Sequence, residues 1–293
     1  MHGMVFAAGL GTRLRPLTDR LPKPVVPLMN RPLAAYSLER LARAGVTRCA
    51  INTHHLAEAV PEALAGHVPD SMQVVFSHEE ELLGTGGGLR AALERLGPTD
   101  EPILVMNGDI FFWPDLEAAV ALHRSLGAFA TMVLRRDPRA HRFGAIEVDP
   151  RGRVRRILGT PEGVEGPLKT HMFTGVHVLS PEVVAALPRE GCVIRKGYQA
   201  WLAEGRVIGG FADEAPWRDL GTPAEYLRAH LDLLGGSLRW PGLEPGGGDV
   251  VLGPGATVDP GVELSRVVVW PGTHVTESAR DAILAPHARV DVG

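Results

Sequence analysis

The sequence predicts an α/β protein whose mainly parallel sheet carries helices on both faces, with a short β-helix at its C-terminal end. Three observations predict this architecture. Strand and helix patterns alternate through the first half of the chain, shorter strands follow, and apolar residues recur every six positions near the end. Alternating strands and helices are typical of parallel sheets covered on both sides, in which ligands bind beyond the carboxyl ends of the strands.

The predicted elements fall into two groups. In the first half, strands are predicted at residues 4–8, 48–52, 73–77, 103–107 and 129–134, and helices at 33–44, 57–64, 89–96 and 116–123. In the second half, shorter strands are predicted at 145–148, 154–157, 173–179 and 207–211, followed by a helix at 223–234. We expect the ligand to lie at the loops that follow the first, third and fourth strands.

The C-terminal tail has its own pattern. A Gly/Pro-rich stretch at 235–248 predicts a linker between a catalytic domain, 1–234, and a tail, 249–293. Four apolar residues recur every six positions in the tail: Leu252, Val258, Leu264 and Trp270. This period indicates a β-helix of about two to three coils at roughly 18 residues each. So short a solenoid needs a neighbour, so we expect it to pack on the catalytic domain or on another subunit, which leaves a homo-oligomer open.

The composition favours a cytoplasmic protein. The chain is 45% hydrophobic and has two cysteines without a CxxC pair, so we expect neither disorder nor a disulfide scaffold. A formal net charge of -4 without a basic run argues against nucleic-acid binding. No apolar run reaches the roughly 18 residues of a membrane-spanning helix, and no signal peptide is recognised, so no membrane partner is expected.

Lysine is rare in this sequence. Lys23, Lys169 and Lys196 are the only lysines among 30 basic residues. A compact ammonium suits a crowded phosphate oxygen better than a planar guanidinium does, so each lysine is a candidate for such a contact. The position of Lys23 supports that interpretation, whereas the roles of Lys169 and Lys196 stay open.

The strongest functional signal is the glycine-rich loop after the first strand. Residues 7–18 read AAGLGTRLRPLT, and PKP follows at 22–24. Glycines let the chain pass close to phosphate oxygens, and their amides form anion-binding nests to which Arg13 and Lys23 add positive charge. A dinucleotide fingerprint would need glycine where Leu14 stands, and a Walker loop needs GxxxxGK followed by Ser or Thr. The loop therefore predicts a phosphate site of another kind.

Asp109 is a candidate metal ligand. It follows the predicted strand 103–107, and Gly108 permits close backbone approach beside it. Magnesium prefers a few carboxylates together with phosphate oxygens and water, so a second acidic residue is expected nearby. On its own, an aspartate at a strand end is more often a turn or helix-capping residue.

Several motifs together resemble the sugar-1-phosphate nucleotidyltransferases. The string GxGTRxxPxT at 9–18, followed by PKP, is similar to the signature of that family. Further matches occur in the family's order: GTGGG at 84–88, NGD at 107–109, FG at 143–144, TG at 174–175 and WRDLGT at 217–222. The resemblance covers essentially the first 234 residues, and the tail is similar to that of the mannose-1-phosphate guanylyltransferase branch.

The resemblance implies a Mg²⁺-dependent enzyme that condenses a nucleoside triphosphate with a sugar 1-phosphate, giving a nucleotide-activated sugar and pyrophosphate. It implies the nucleotide-diphospho-sugar transferase fold, with a Rossmann-like mixed sheet and a left-handed β-helix of hexapeptide repeats. The catalytic residues would be Arg13, Lys23, Asp109 and Asp219, with both aspartates as metal ligands. The nucleotide would contact Ala8, Gly9, Gly11, Thr12, Arg13, Lys23, Gly84, Thr85, Gly86 and Gly108. The sugar would contact Gly144, Glu147, Thr174 and Gly175.

The sequence leaves the base and the sugar open. The tail favours a mannose-type guanylyltransferase. The 84–88 run and the lack of a Glu-Lys-Pro element near 157–161 are more similar to an N-acetylmuramate 1-phosphate uridylyltransferase, and a heptose 1-phosphate is a further alternative. The 84–88 run itself has two compatible interpretations, a tight turn that caps the next helix and a nucleobase contact.

Two functions outside this activity are disfavoured by the sequence. A glycosyltransferase of related fold is disfavoured because Asp109-Ile110-Phe111 lacks an Asp-x-Asp pattern. A regulatory subunit that binds nucleotide sugar without turnover is disfavoured by the intact charged residues. Whether the tail is regulatory or structural stays open.

Overall fold

The computed structural model describes residues 1–293, apart from the side chains of residues 142 and 143, so Phe143 of the predicted FG motif lies outside the described side chains. The helices are α1 (Leu33–Arg43), α2 (Ala59–Leu64), α3 (Gly84–Leu96), α4 (Leu116–Leu126), α5 (Ala140–Phe143), α6 (Val183–Ala186), α7 (Gln199–Ala203) and α8 (Pro223–Leu234). Within the described part of the chain, no helix combines the length and apolar character needed to cross a membrane.

In the part of the chain that the structure describes, nineteen strands accompany these helices. Those of the first 234 residues are β1 (His2–Phe6), β2 (Pro27–Leu28), β3 (Arg31–Pro32), β4 (Arg48–Thr53), β5 (Gln73–His78), β6 (Ile103–Asn107), β7 (Ile110–Phe112), β8 (Ala130–Arg135), β9 (Ala145–Val148), β10 (Val154–Ile157), β11 (Lys169–Leu179), β12 (Ile208–Ala212) and β13 (Trp217–Asp219). Those of the tail are β14 (Val250–Leu252), β15 (Thr257–Val258), β16 (Leu264–Val269), β17 (His274–Val275), β18 (Ala279–Ala285) and β19 (Ala288–Asp291).

The central sheet is mixed, and its middle is parallel. β5, β4, β1 and β6 lie side by side and run in the same direction. β11 then pairs antiparallel with β6 and continues the sheet to β8 and β9, while β12 is parallel to β8. This arrangement confirms the predicted α/β fold with its mainly parallel central sheet. The carboxyl ends of β1, β4, β5 and β6 therefore meet at one edge.

Helices cover both faces of this sheet, as predicted. Successive residues of a strand point to opposite faces, and the neighbours Met4 and Val5 of β1 belong to different apolar clusters. Val5 packs in the cluster that contains Leu38 of α1, whereas Met4 packs in the cluster that contains Leu93 of α3. The two buried faces hold the strand ends in place for the site.

A small two-stranded ribbon lies beside the main sheet. β7 and β13 pair antiparallel, and Ile110 lies opposite Asp219. The sequence did not predict these two strands, because each has only three residues. The pairing matters for the site, since it brings the chain around residue 219 next to Asp109.

The predicted start of α3 was wrong. The glycine run at 84–88 was expected to precede a helix at 89–96, but the helix begins at Gly84 and includes the run. Glycine has a low helix propensity, but here the need for close packing outweighs it and the glycines are helical. A Cβ at Gly87 would lie 2.3 Å from the carbonyl oxygen of Arg189, so only glycine lets this turn of helix approach that segment.

The tail contains stacked parallel strands. β14, β16 and β18 form one ladder, with Val250 opposite Val267 and Val267 opposite Ala282, and β15 and β17 form a second ladder. Val267 and Ala282 are fully buried in the tail's own apolar cluster. Leu252, one of the predicted repeat positions, is instead 49% exposed.

The tail packs on the catalytic part of the chain. One apolar cluster joins Leu17 and Leu28 of the N-terminal region to Trp270 and Ile283 of the tail. Residues 235–248, predicted as a linker, include the buried Trp240. Its indole ring packs on Tyr36, Phe111 and Trp113, with ring centroids 4.8 Å apart in each pair.

Candidate active site

A cavity of about 360 Å³ opens at the carboxyl ends of β1, β4 and β6. Most of the predicted nucleotide-binding residues line it, and only Gly86 and Gly108 do not. The lining residues are Phe6, Ala8, Gly9, Leu10, Gly11, Thr12, Arg13, Lys23, Pro24, Asn52, Glu79, Leu82, Gly84, Thr85, Asn107, Asp109 and Gly221. The structure therefore brings the glycine-rich loop, Lys23 and Asp109 together around one space.

The glycine-rich loop is held in shape by its own contacts. Gly11 has φ +62°, a left-handed conformation that favours glycine. A Cβ at this position would also lie 2.9 Å from Cβ of Lys23. The hydroxyl of Thr18 donates to the Gly11 carbonyl oxygen at 2.8 Å. Gly11 thus allows the loop to fold back so that Arg13 and Lys23 reach the same cavity.

Lys23 lies between the two predicted metal ligands. Its ammonium nitrogen is 2.7 Å from Asp109 Oδ2 and 3.2 Å from Asp219 Oδ1. The Lys23 side chain is 7% exposed, and those of Asp109 and Asp219 are 35% and 26% exposed. Arg13 joins the group through a 3.3 Å contact with Asp219 Oδ2. The four predicted catalytic residues therefore form one continuous charged cluster.

The chemistry of this cluster fits a magnesium site. Both carboxylates accept a hydrogen bond from one nitrogen atom, so their oxygens converge on one point that already attracts positive charge. Two carboxylates leave room for phosphate oxygens and water, the ligand set that magnesium prefers. Across the described residues, no group of three or more His, Cys, Asp or Glu side chains is arranged so that it could hold a metal ion. Asp109 and Asp219 are the pair that would hold Mg²⁺.

The two predicted residues that do not line the cavity support its walls. The amide of Gly86 donates to the Gly191 carbonyl oxygen at 2.7 Å. The amide of Gly108 donates to the Phe6 carbonyl oxygen at 2.9 Å, and a Cβ there would lie 2.6 Å from that oxygen. Both glycines are needed for close packing behind the cavity.

Sequence reasoning missed a buried polar pair in the cavity wall. Asn52 and Glu79 are each 3% exposed, and the Asn52 amide donates to Glu79 Oε1 at 2.6 Å. Asn52 Oδ1 accepts from the amide of Ala7 at 2.8 Å, and Glu79 Oε2 accepts from the amide of Leu83 at 3.0 Å. Asn52 lies near the end of β4 and Glu79 follows β5. Their positions at strand ends were the signal that could have identified them.

The predicted sugar-binding residues are spread behind the cavity. Thr174 is 1% exposed, and its hydroxyl donates to the Val133 carbonyl oxygen at 2.7 Å. Gly175 packs against Asn107, which lines the cavity. Glu147 forms an ion pair with Arg156 at 3.2 Å. Neither these three residues nor Gly144 is among the residues that line the cavity.

A second recess adjoins the charged cluster. It has a volume of about 500 Å³ and shares Arg13 and Asp219 with the cluster. Its other lining residues are Arg139, Trp217, Arg218, Thr222, Glu225, Arg228 and Asp232. The remaining two lysines lie elsewhere: Lys169 is exposed at the start of β11, and Lys196 forms an exposed ion pair with Glu190.

Comparisons with known proteins point to one family. The model of a family described as Nucleotidyl transferase matches residues 2–235. A mannose-1-phosphate guanylyltransferase of Mycobacterium tuberculosis is 33% identical over 301 residues, covering 100% of this chain and 82% of that protein. A crystal structure of HddC from Yersinia pseudotuberculosis, complexed with GMP-PN, has 25% identity and a TM-score of 0.62 over 78% of this chain and 97% of that one. UDP-glucose pyrophosphorylase from Acinetobacter baumanii shares the fold, with a TM-score of 0.66 at 20% identity over 82% of this chain and 94% of that one.

Proposed function

We propose that this chain, which belongs to the nucleotidyl transferase family, joins GTP to mannose 1-phosphate with the help of Mg²⁺. It is a sugar-1-phosphate nucleotidyltransferase, an enzyme that forms a nucleotide-activated sugar and releases pyrophosphate. The observation that carries the proposal is the position of the Lys23 ammonium, between Asp109 and Asp219 at the glycine-rich loop. Such a cluster offers both a fixed positive charge and a metal site to phosphate groups.

The reaction proposed is a direct in-line displacement. A nonbridging oxygen of the sugar 1-phosphate attacks the α-phosphorus of the nucleotide, and pyrophosphate leaves on the opposite side. A phosphate monoester has a second pKa of about 6 and is mostly dianionic at pH 7, so the nucleophile needs little help from a base. Lys23 reduces the repulsion between the two phosphate groups, and Arg13 with the loop amides holds the leaving pyrophosphate. Asp109 and Asp219 would hold Mg²⁺, which would supply further charge stabilisation to the phosphate oxygens.

Guanine is the proposed base because of the chemistry of the cavity wall. Guanine presents two adjacent donors, the N1–H and the 2-amino group, and a carboxylate accepts from both. Glu79 lines the wall with a carboxylate whose oxygens each accept one hydrogen bond, from Asn52 and from Leu83, and each oxygen has a second lone pair for a guanine donor. Leu10 and Leu82 add apolar surface to the lining. The relative from M. tuberculosis is named a guanylyltransferase, and HddC is described in complex with GMP-PN. Mannose 1-phosphate is proposed as the sugar substrate because the relative from M. tuberculosis is named a mannose-1-phosphate guanylyltransferase.

For the tail we propose a left-handed β-helix, residues 249–293, joined to a catalytic domain, 1–234, by residues 235–248. The parallel ladders of the tail support a coiled path, since β14, β16 and β18, like β15 and β17, each lie beside the next strand but one in sequence. The last strand ends this path, because β19 pairs antiparallel with its neighbour β18. The handedness rests on the resemblance of the hexapeptide pattern. Cys49 and Cys192 are both free thiols, which supports the proposed cytoplasmic location.

A matrix of substrates tests the proposed function. Purified protein with Mg²⁺ is incubated with GTP, UTP, dTTP, CTP or ATP and with the 1-phosphates of mannose, glucose, N-acetylglucosamine, N-acetylmuramate or heptose, and pyrophosphate release is measured. We expect GTP with mannose 1-phosphate to give the highest rate. A highest rate with another pair would replace the proposed substrates. No release with any pair, together with binding of a nucleotide sugar, would favour a regulatory subunit.

A further inference from the structure

We propose that the tail positions the glycine-rich loop through His287, so that the tail forms part of the active-site framework. The inference rests on the proposed role of this loop in nucleotide binding. Nε2 of His287 lies 3.2 Å from the carbonyl oxygen of Leu17. Since a carbonyl oxygen only accepts, Nε2 carries the proton of this hydrogen bond. Leu17 belongs to the predicted signature, 9–18, although 270 positions separate it from His287.

The residue next to Leu17 contacts the part of the loop that is proposed to bind phosphate, around Gly11. Thr18 follows Leu17 and is 1% exposed, and its hydroxyl holds the Gly11 carbonyl oxygen at 2.8 Å. A Cβ at Gly11 would lie 3.2 Å from Cγ2 of Thr18 and 2.9 Å from Cβ of Lys23. Thr18, Gly11 and Lys23 are therefore packed without free space. A shift of the Leu17 carbonyl would move Thr18, and with it Gly11 and Lys23.

Apolar packing fixes the two partners of this hydrogen bond. Leu14 and Leu17 are fully buried in the cluster that also contains Trp270 and Ile283 of the tail. The imidazole of His287 meets the Trp270 ring edge to face, with centroids 5.9 Å apart. His287 is thus held by the tail itself rather than by the loop. The tail therefore adds a rigid anchor to the contacts that the glycine-rich loop makes within itself.

A second contact between the tail and the catalytic part reaches the segment after Lys23. Trp270 Nε1 donates to the hydroxyl of Tyr226 at 3.0 Å, and that hydroxyl donates to the carbonyl oxygen of Pro27. Leu220, the neighbour of Asp219, is buried in the same cluster. The segments that carry Arg13, Lys23 and Asp219 therefore all contact the cluster to which the tail contributes. His287 is the tail residue that hydrogen-bonds the glycine-rich loop directly.

A matched pair of histidine variants tests the inference in the full-length chain. His287→Ala removes the hydrogen bond to Leu17. His274→Ala is the control, because the His274 ring contacts Thr257 and Asp259, which both belong to the tail. His287→Gln is the rescue variant, because its amide N–H still donates to a carbonyl oxygen. We measure amide hydrogen exchange of peptides covering residues 10–20, kcat and KM for GTP with mannose 1-phosphate, and the midpoint of thermal unfolding.

We expect His287→Ala to speed amide exchange within residues 10–20 and to lower kcat/KM for GTP by about threefold to tenfold, the effect of one net hydrogen bond. His274→Ala should match the wild type in the amide exchange of residues 10–20 and in kcat/KM for GTP. His287→Gln should recover most of the kcat/KM that His287→Ala loses. Unchanged exchange of residues 10–20 in His287→Ala, or an equal effect of His274→Ala, would overturn the inference. The exchange measurement needs no substrate, so it still decides the inference if the proposed substrates are wrong.

Discussion

The Lys23 ammonium lies 2.7 Å from the carboxylate of Asp109 and 3.2 Å from that of Asp219. Two backbone features fix this relationship. Asp109 follows the end of β6, and the pairing of β7 with β13 puts Asp219 opposite Ile110. Because the Lys23 side chain is almost fully buried, its charge is already oriented before any substrate binds. Charge that is oriented in advance costs no reorganisation during the reaction.

Asp109→Asn tests the metal assignment. The amide keeps the size of the side chain but removes the charge that would hold the ion, so we expect kcat to fall by about two orders of magnitude or more. Circular dichroism and the thermal midpoint should stay close to those of the wild type. Asp70→Asn, in the exposed turn before β5, is the control and should keep full activity. Near-normal turnover by Asp109→Asn would remove Asp109 from the metal site.

Lys23→Ala and Lys23→Arg test the fixed positive charge. We expect Lys23→Ala to lower kcat by about 100-fold or more, because two carboxylates and the reacting phosphates lose their cation. Lys23→Arg should recover little of this activity, since a planar guanidinium does not fit the space that a compact ammonium fills between Asp109 and Asp219. Lys196→Ala, which removes an exposed ion pair with Glu190, is the matched control and should be fully active. Steady-state kinetics that show only a KM change for Lys23→Ala would contradict a role in the chemical step.

Glu79→Gln tests the base assignment with inosine triphosphate as the probe. ITP lacks the 2-amino group of guanine, so the wild type should prefer GTP over ITP by about 10-fold or more in kcat/KM, as expected for a hydrogen bond to a charged group. Glu79→Gln replaces one acceptor oxygen by a donor and should narrow that ratio towards one. Glu80→Gln, at the exposed neighbouring position, should leave the ratio unchanged. An unaltered ratio in Glu79→Gln would place the guanine edge elsewhere.

Gly175→Ala tests the support behind Asn107. Gly175 has φ +88°, and a Cβ would lie 2.7 Å from the Asn107 amide nitrogen. Gly205 also has a positive φ, +77°, but a Cβ there would meet nothing within 4 Å. Both variants should lose about 1 kcal/mol of unfolding free energy from backbone strain. Only Gly175→Ala should lose further stability and also activity, because Asn107 must move. Equal losses, measured by urea unfolding and pyrophosphate release, would show that Asn107 is not held by this contact.

The sequence predicted those parts of the site that depend only on residues close together in the chain. The glycine-rich loop and Asp109 each follow a hydrophobic strand, so their place at a strand end could be predicted from the pattern alone. Asp219 was nominated only by resemblance, because the three-residue β7 and β13 that position it give no periodic signal. Asn52 and Glu79 were missed: their positions at strand ends mark them as candidates for the site, but the sequence gives no sign that they are buried and paired with each other.

The fold departs from the sequence prediction where packing overrides local propensity. The glycines at 84–88 predict a turn, but their lack of side chains lets α3 press against the segment around Arg189, so they are helical. The period of six predicted a coiled tail, but it did not predict which of the repeat positions would be covered. Trp270 faces Tyr226 because the tail covers α8, whereas Leu252 has no such cover and is exposed.

Three buried histidines predict a loss of stability in acid. Burial lowers the pKa of His177 to about 3 and the pKa values of His123 and His230 to about 4, from an ordinary value of 6.5. The unfolded chain therefore binds protons that the folded chain does not, at any pH between those values. Above about pH 6.5 the buried histidines do not lower the free energy of unfolding, and as the pH falls towards 4 they lower it progressively.

Urea unfolding at pH 7.5, 6.0 and 5.0 measures this effect. Below pH 6.5 each buried histidine should lower the unfolding free energy by up to about 1.4 kcal/mol per pH unit. His123→Gln removes one titrating group, so its unfolding free energy should change less steeply with pH by about that amount, whatever its stability at pH 7.5. A His123→Gln slope equal to that of the wild type would mean that His123 is protonated in the folded protein, against the desolvation that its burial imposes.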